Sequence, residues 1–437
     1  MRIEPAARLA GELTPPPDKS ISHRAALLAA MCEREVHIEN YLRSADTAST
    51  LEALRTLGAQ IEKRGTDDDG VELAIRGVGL RGAQECARAI DVGNAGTLLR
   101  LLPGWLAGQH RGRWTIDGDE SIRRRPVDRI AEPLRLMGAN VDCRSGRLPP
   151  IVVSGAELEG TRYELPVASA QVKSCLLLAG LLASGETVVV ERLPTRDHTE
   201  LMLNQAGVPI QVERSEPGNA ATIAVEAVER IELEHFKVPG DFSSAAFLIA
   251  AATLVPSAAL VLRSVGVNPT RIGLLGVMRR MGANVELRTH HAVYGESVAD
   301  IAIAPATLRS TTVDAAEVPL MIDELPLVAL LGVFAEGETV VSGAEELRHK
   351  ESDRITTVVE GLRALGANIE ASADGFRVNG TGHLPGGMID SSGDHRLALV
   401  GAVAGLASRE GVEVQGFEAA SVSYPGFAND LALASAG

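Results

Sequence analysis

One phrase recurs six times in this chain: an apolar run of helical character, a break, then a Val-rich strand. The copies are ALLAAMCEREVHIEN (26–40), LLRLLPGWLAGQHRGRWTID (98–117), LLLAGLLASGETVVVE (176–191), FLIAAATLVPSAALVLRS (247–264), LVALLGVFAEGETVVSG (327–343) and LVGAVAGLASREGVEVQG (399–416). A different polar cluster precedes each: DKSISHR (18–24), NAGT (94–97), ASAQVKS (168–174), GDFSS (240–244), MIDE (321–324) and GDHR (393–396). Each cluster therefore falls at a helix start, where unpaired N–H groups and the positive end of the dipole favour anions. A chain that repeats this device is a scaffold aimed at an anionic ligand.

A second repeat fixes the period. LRTLGAQIE (54–62), LRLMGANVD (134–142), LNQAGVPIQVE (203–213), MRRMGANVEL (278–287) and LRALGANIE (362–370) each end a helix at a glycine and start a strand soon after. Gly58, Gly138, Gly207, Gly282 and Gly366 suit the left-handed position that closes a helix. They lie about 70–85 residues apart, too far for a stacked solenoid, and this implies a unit of two helices and several strands. The chain ends where a sixth copy would fall, and the strand-like MRIEP at the other end is expected to take its place.

The apolar helices lack a polar face, so they are expected inside, with sheets around them. This is an α/β fold of six units in two domains. The Pro-rich TPPPDKS (14–20) and HFKVPGDFSS (235–244) mark the crossovers. They give a first domain over 20–238 and a second over 239–437 plus 1–19, three units each, with a ligand cleft expected between them.

Composition narrows the partners. At 437 residues the chain is too long for one core. With 45% hydrophobic and 23% charged residues it reads as soluble and globular. Aromatic content of 3% and a net charge of −15 argue against nucleic acid. No apolar run is long enough for a membrane span, and MRIEPAARLAG lacks a signal-peptide core. Cys32, Cys86, Cys143 and Cys175 show no disulfide or zinc spacing. The chain is expected in the cytoplasm, as a monomer acting on small molecules, with no metal.

The clusters concentrate cations in an acidic chain. Lys19, Ser20 and Arg24 occupy the first turns of one helix, a pattern suited to phosphate. Asn94, Gly96 and Thr97 form a bare backbone that a ligand can approach closely. Three arginines (Arg123, Arg124, Arg125) precede Pro126, and at least one is expected to reach an anion. Ser169, Ala170, Gln171 and Lys173 open another helix, and Arg196 and His198 follow one strand later. Asp323 and Glu324 precede an apolar helix, where a carboxylate is either a dipole partner or a base for a hydroxyl. Lys350, Glu351 and Arg354 are read as one helical turn. His395 and Arg396 open the last helix, where burial would need an anion beside them.

Taken together, DKSISHR, GNAGT, RRRPVDR, VASAQVKS, RDHTE, DELP, KESDR and GDHR, in this order, resemble the 3-phosphoshikimate 1-carboxyvinyltransferase (EPSP synthase) family along the whole chain. The resemblance implies two inside-out α/β barrels of three βαβαββ units, with helices buried and sheets outside. It implies transfer of the enolpyruvyl group of phosphoenolpyruvate to the 5-hydroxyl of shikimate 3-phosphate, without a cofactor, and inhibition by glyphosate, for which Gly96 leaves room. By position, Ser20, Arg24, Ser169, the Ala170 backbone and Arg196 would hold shikimate 3-phosphate. Lys19, Asn94, Gly96, Arg125, Gln171, Arg354, His395 and Arg396 would serve the rest of the substrate site, chiefly phosphoenolpyruvate. Asp323 would be the base, Glu351 the proton donor in a partly desolvated setting, and Lys350 a contact to the reacting oxygen, with Lys19 completing the catalytic set; the roles of the two acids can swap. Val422 stands where enteric-type members carry a basic residue. Two rival readings are a sister transferase acting on UDP-N-acetylglucosamine and a non-catalytic anion-binding repeat protein. The first needs a reactive Cys where this chain has Glu120.

Overall fold

The computed structural model describes residues 1–66, 70–215 and 220–436. All six apolar runs are helices: Lys19–Met31, Gly96–Ala107, Ala170–Gly180, Phe242–Leu254, Leu325–Phe334 and His395–Ala407. They are buried on every side. In Phe242–Leu254 only Leu254 escapes full burial, in Leu325–Phe334 only Phe334, and in His395–Ala407 only Ala407. Small residues allow the close packing. A Cβ on Gly104 would lie 2.2 Å from the Cys175 carbonyl oxygen, so the second and third helices approach backbone to backbone there.

Backbone contacts divide the chain into two units. One comprises Pro17–Val238 and Val293–Glu296; the other comprises Met1–Pro16, Pro239–Ala292 and Ser297–Gly437. Residues 17–19 and 293–296 thus differ from the boundaries read in the sequence. Lys19 already opens the first buried helix. Tyr294 lies against His235 and Phe236, and Glu296 bonds His198, which draws this short segment into the 17–238 unit.

The sheets wrap each helix trio with one recurring order. The strand after a buried helix is inner, with a parallel neighbour on one side and an antiparallel neighbour on the other. The antiparallel strand then pairs with the strand that follows the second, surface helix. In the first sheet the order is His235–Lys237, Glu35–Leu42, Gly70–Arg76, Gln60–Thr66. The first strand here comes from the far end of its unit, so Phe236 opposite Ile38 closes the ring. It also shows that 235–237, read in the sequence as linker, is strand. Burial alternates along the outer strands, as in Leu148–Ser154, so one face meets the helices and the other faces out.

The 239–437 unit closes differently. Ala10–Leu13 pairs in parallel with Ala259–Gly266, and Arg2–Ile3 lies antiparallel to Val412–Gln415. The MRIEP strand therefore fills the place left by the sixth copy. Gly58, Gly138, Gly207, Gly282 and Gly366 have φ of 103°, 93°, 79°, 90° and 96°, the helix-closing conformation expected of them. Among the described residues no helix is long and apolar enough to cross a membrane. All four cysteines are free thiols.

His23, one turn into Lys19–Met31, is buried with Nδ1 2.6 Å from Thr50 Oγ1. Burial drives its imidazole from 6.5 down to about 3. Between those values the unfolded chain binds a proton that the folded chain does not, so folding weakens as pH falls below 6.5. The loss for this one group reaches about 1.4 kcal/mol per pH unit. His23→Gln removes the titration. It is expected to flatten the fall of the urea midpoint between about pH 6.5 and 4; an unchanged slope would assign the acid sensitivity elsewhere.

Candidate functional site

In the 17–238 unit the helix rods are buried except at their first turns. The residues that escape full burial are Lys19 and Ser20, Thr97 and Arg100, and Ala170 and Gln171. Hydrogen bonds draw these three starts together. Gln171 Nε2 donates to Thr97 Oγ1 at 3.3 Å, and Arg24 Nη2 donates to Ser174 Oγ at 3.0 Å. Arg24 also donates from Nε to Thr199 Oγ1 at 2.8 Å and from Nη1 to the Ser20 carbonyl at 3.0 Å. Among the described residues no carboxylate pairs with Arg24, although it is only 4% exposed. Burial pulls its guanidinium down to about 10, opposed by Glu200 and Asp18 and reinforced by the like charge of Arg196. A buried arginine bonded to neutral oxygens, with a second arginine acting on it, can receive an anion.

Lys19 reaches Asp46 Oδ2 at 3.2 Å and stays partly exposed. Of the three adjacent arginines, Arg123 pairs with Asp117 and Arg124 with Glu120 on the surface. Arg125 alone turns inward and donates to Asn94 Oδ1 at 2.8 Å and Ser121 Oγ at 3.2 Å. Asn94 is fixed in turn by Asp119 Oδ2 at 2.6 Å. Gly96 leaves space for this guanidinium: a Cβ there would lie 2.7 Å from Arg125 Nη1. Ser169 caps its helix by accepting from the Val172 N–H at 3.4 Å, and Ala170 is the first helical residue.

The 239–437 unit gathers its own starts through ion pairs. Arg354, 1% exposed, binds three carboxylates: Asp394 Oδ2 at 2.8 Å, Asp323 Oδ1 at 3.1 Å and Glu351 Oε2 at 2.5 Å. Burial opposes its charge, but these carboxylates hold the guanidinium above its ordinary value. Asp394 is held low against burial, mainly by Arg354. Two further cations converge on Asp323, Lys350 Nζ at 3.5 Å and Arg396 Nη2 at 3.7 Å. Arg396 also lies 3.5 Å from Glu324 Oε1, and Glu324 accepts from the Ser243 hydroxyl. The anions that burial of Arg396 demanded are thus Asp323 and Glu324.

Several expectations need correction. Lys350 and Glu351 are not in the helical turn of Arg354; they lie in a loop, and the helix begins at Arg354, capped by Asp353. Lys173 and His198 do not face the helix-start cluster. Lys173 is wholly buried against Glu191 and Glu200, and His198 Nδ1 lies 2.6 Å from Glu296 Oε1. Carboxylates cap three of the six buried helices (Asp18, Asp241, Asp394), so those starts already hold an anion. Glu351 is partly desolvated, at 24% exposure, but its partner is a cation. The reading also missed Arg271, buried 3.1 Å from Asp241 and Ser243; its motif, VNPTR, carried no charge cluster to draw notice. Among the described residues no group of three or more His, Cys, Asp or Glu is placed to hold a metal ion.

Comparison with known proteins finds relatives along the whole chain. The 3-phosphoshikimate 1-carboxyvinyltransferase of Desulfitobacterium hafniense is 45% identical over 428 residues, covering 98% of this chain and 96% of that protein. The enzyme of the same name from Thermus thermophilus is 45% identical over 431 residues, covering 98% and 97%. The solved EPSP synthase of Acinetobacter baumannii superposes with a TM-score of 0.86 at 39% identity, over 99% of this chain and 97% of that one. The family profile for EPSP synthase (3-phosphoshikimate 1-carboxyvinyltransferase) matches residues 3–431, so a chain whose helix starts gather arginines, lysines and paired carboxylates belongs to that family.

Proposed function

We propose that this chain transfers the enolpyruvyl group of phosphoenolpyruvate to the 5-hydroxyl of shikimate 3-phosphate and releases phosphate, a step of aromatic amino acid biosynthesis. The observation that carries the reading is the pairing of Asp323 and Glu351 on one buried arginine, with Lys350 and Arg396 beside them. Addition needs a base for the 5-hydroxyl and an acid for the methylene carbon. The hydroxyl oxygen bonds the central enolpyruvyl carbon as the methylene gains a proton. The resulting tetrahedral ketal phosphate then loses phosphate and a methyl proton, which regenerates the double bond. Proton transfers and charge clamps meet these demands.

Asp323 is assigned the 5-hydroxyl proton and Glu351 the methylene proton, with the roles exchanged in the elimination. Lys350 is assigned the reacting oxygen. Ser20, Arg24, Ser169, the Ala170 N–H and Arg196 are assigned shikimate 3-phosphate. Lys19, Asn94, Gly96, Arg125, Gln171, Arg354, His395 and Arg396 complete the substrate contacts, chiefly to phosphoenolpyruvate. Arg354 then exchanges a protein carboxylate for that of the substrate, which frees Glu351 for proton transfer. The planar fork of arginine suits both carboxylate and phosphate. The reading extends to a cytoplasmic monomer whose partners are these two metabolites rather than nucleic acid or membrane, in keeping with the net charge of −15.

Phosphate release measured with each substrate alone and with both together tests the activity. Release only from the pair is expected; tight binding of both with no release would leave an anion-binding protein without turnover. Arg24→Ala is expected to raise KM for shikimate 3-phosphate roughly 100-fold while moving that for phosphoenolpyruvate far less. Equal effects on both would remove Arg24 from its role. Glu351→Gln is expected to lower kcat by about 100-fold or more, with dissociation constants changed only a few-fold. A large affinity loss at unchanged kcat would instead make Glu351 a binding group.

A further inference from the structure

The buried cluster around Lys173 lies one residue away from the seat of Arg24 on both contributing helices. Ser174 and Thr199 bond each other at 2.6 Å and both accept from Arg24. Their sequence neighbours Lys173 and Glu200 bond each other at 2.6 Å. Lys173 also holds Glu191 Oε2 at 3.0 Å, which Thr195 Oγ1 steadies at 2.7 Å. Lys173 is 0% exposed and Glu200 6%. The second oxygen of Glu200, Oε2, is buried with no hydrogen-bond partner. Arg24 pairs with no carboxylate among the described residues, and of the charges around it Glu200 acts on it most strongly.

Such an arrangement has an obvious competitor. A buried carboxylate with a spare oxygen, next to a buried arginine lacking a counter-ion, gains by pairing with it. That pairing would occupy the guanidinium that an incoming anion must find open. Both carboxylates bond Lys173 instead. The two carboxylates keep the ammonium charged, above its ordinary value, despite burial.

We propose that Lys173 is a positioning residue for anion recognition. By locking Glu200 and Glu191, it keeps their carboxylates off Arg24 and holds Ser174 and Thr199 as the uncharged seat from which Arg24 meets an anionic group of shikimate 3-phosphate. This rests on the substrate reading above, and it makes Lys173 act through Arg24 rather than by touching the ligand.

Titration calorimetry with shikimate 3-phosphate on Lys173→Met, Glu200→Gln and the double variant tests it, with thermal melts and KM for phosphoenolpyruvate alongside. Lys173→Met frees a carboxylate beside Arg24 and is expected to weaken shikimate 3-phosphate binding about tenfold or more, leaving KM for phosphoenolpyruvate within a few-fold. Glu200→Gln removes the competitor together with the clasp and is expected to lose clearly less affinity. Adding Glu200→Gln to Lys173→Met is expected to regain most of the lost affinity even if the melting temperature stays low. A merely structural clasp predicts otherwise: affinity would follow melting temperature, both single variants would fall together, and the double would be the worst. That pattern overturns the proposal. If Lys173→Met does not fold, the double variant against Glu200→Gln decides: similar affinity supports the proposal, and a further large loss overturns it. Wild-type protein that fails to bind shikimate 3-phosphate sinks the substrate reading itself, whereas normal wild-type binding with unaltered Lys173→Met affinity sinks only the role of Lys173.

Discussion

The burial of the helix rods is the constraint on which the rest depends. A helix surrounded by other helices and by sheets has no polar face, so side chains along its length must be apolar or small. Polar groups reach solvent in such a unit chiefly where the rods begin. In the 17–238 unit that means Lys19, Ser20, Thr97, Arg100, Ala170 and Gln171, the residues that escape full burial in their helices. The same demand for dry interiors that excludes polarity from the barrel walls therefore collects it at the helix starts, where the backbone already favours negative charge.

The two units solve the resulting charge problem in opposite ways. Around Arg354 the solution is saturation, with three carboxylates on one guanidinium. Around Arg24 it is restraint, with hydroxyls and a carbonyl as its bonded partners among the described residues. A saturated arginine must exchange partners when an anion arrives, and the groups it releases become free for proton transfer. An arginine in a neutral seat need release nothing and can bind at once. The proposed division, with chemistry at the first and anchoring at the second, is in keeping with that difference.

The fold was legible in the sequence because its signals are local and repeated. Six apolar runs without a polar stripe imply buried helices, and five glycines at helix ends place the strands that follow. The cation clusters at the helix starts were legible for the same reason. Their partners were not. Lys173 reads like its neighbours Ser169 and Gln171, yet it points into the core because Glu191 and Glu200 are brought to it across a strand and a loop. Asp46 behind Lys19, Asp394 behind Arg354 and Glu296 behind His198 are likewise distant in the chain. Spacing along one helix shows which residues share a face, but not which way that face turns when a remote carboxylate competes for it.

Sheet closure in the two units differs in its demand on chain order. The 17–238 stretch carries its own closing strand, His235–Lys237, at its end. The strands Arg2–Ile3 and Ala10–Leu13, by contrast, must wait for residues 412–415 and 259–262 before they have anything to pair with. During synthesis the intervening barrel can assemble while these early segments remain unsatisfied, and the other barrel forms only when the chain returns to them. Two short ribbons made near the outset thus act as the final keystones, which makes that barrel the slower and more aggregation-exposed half of the molecule.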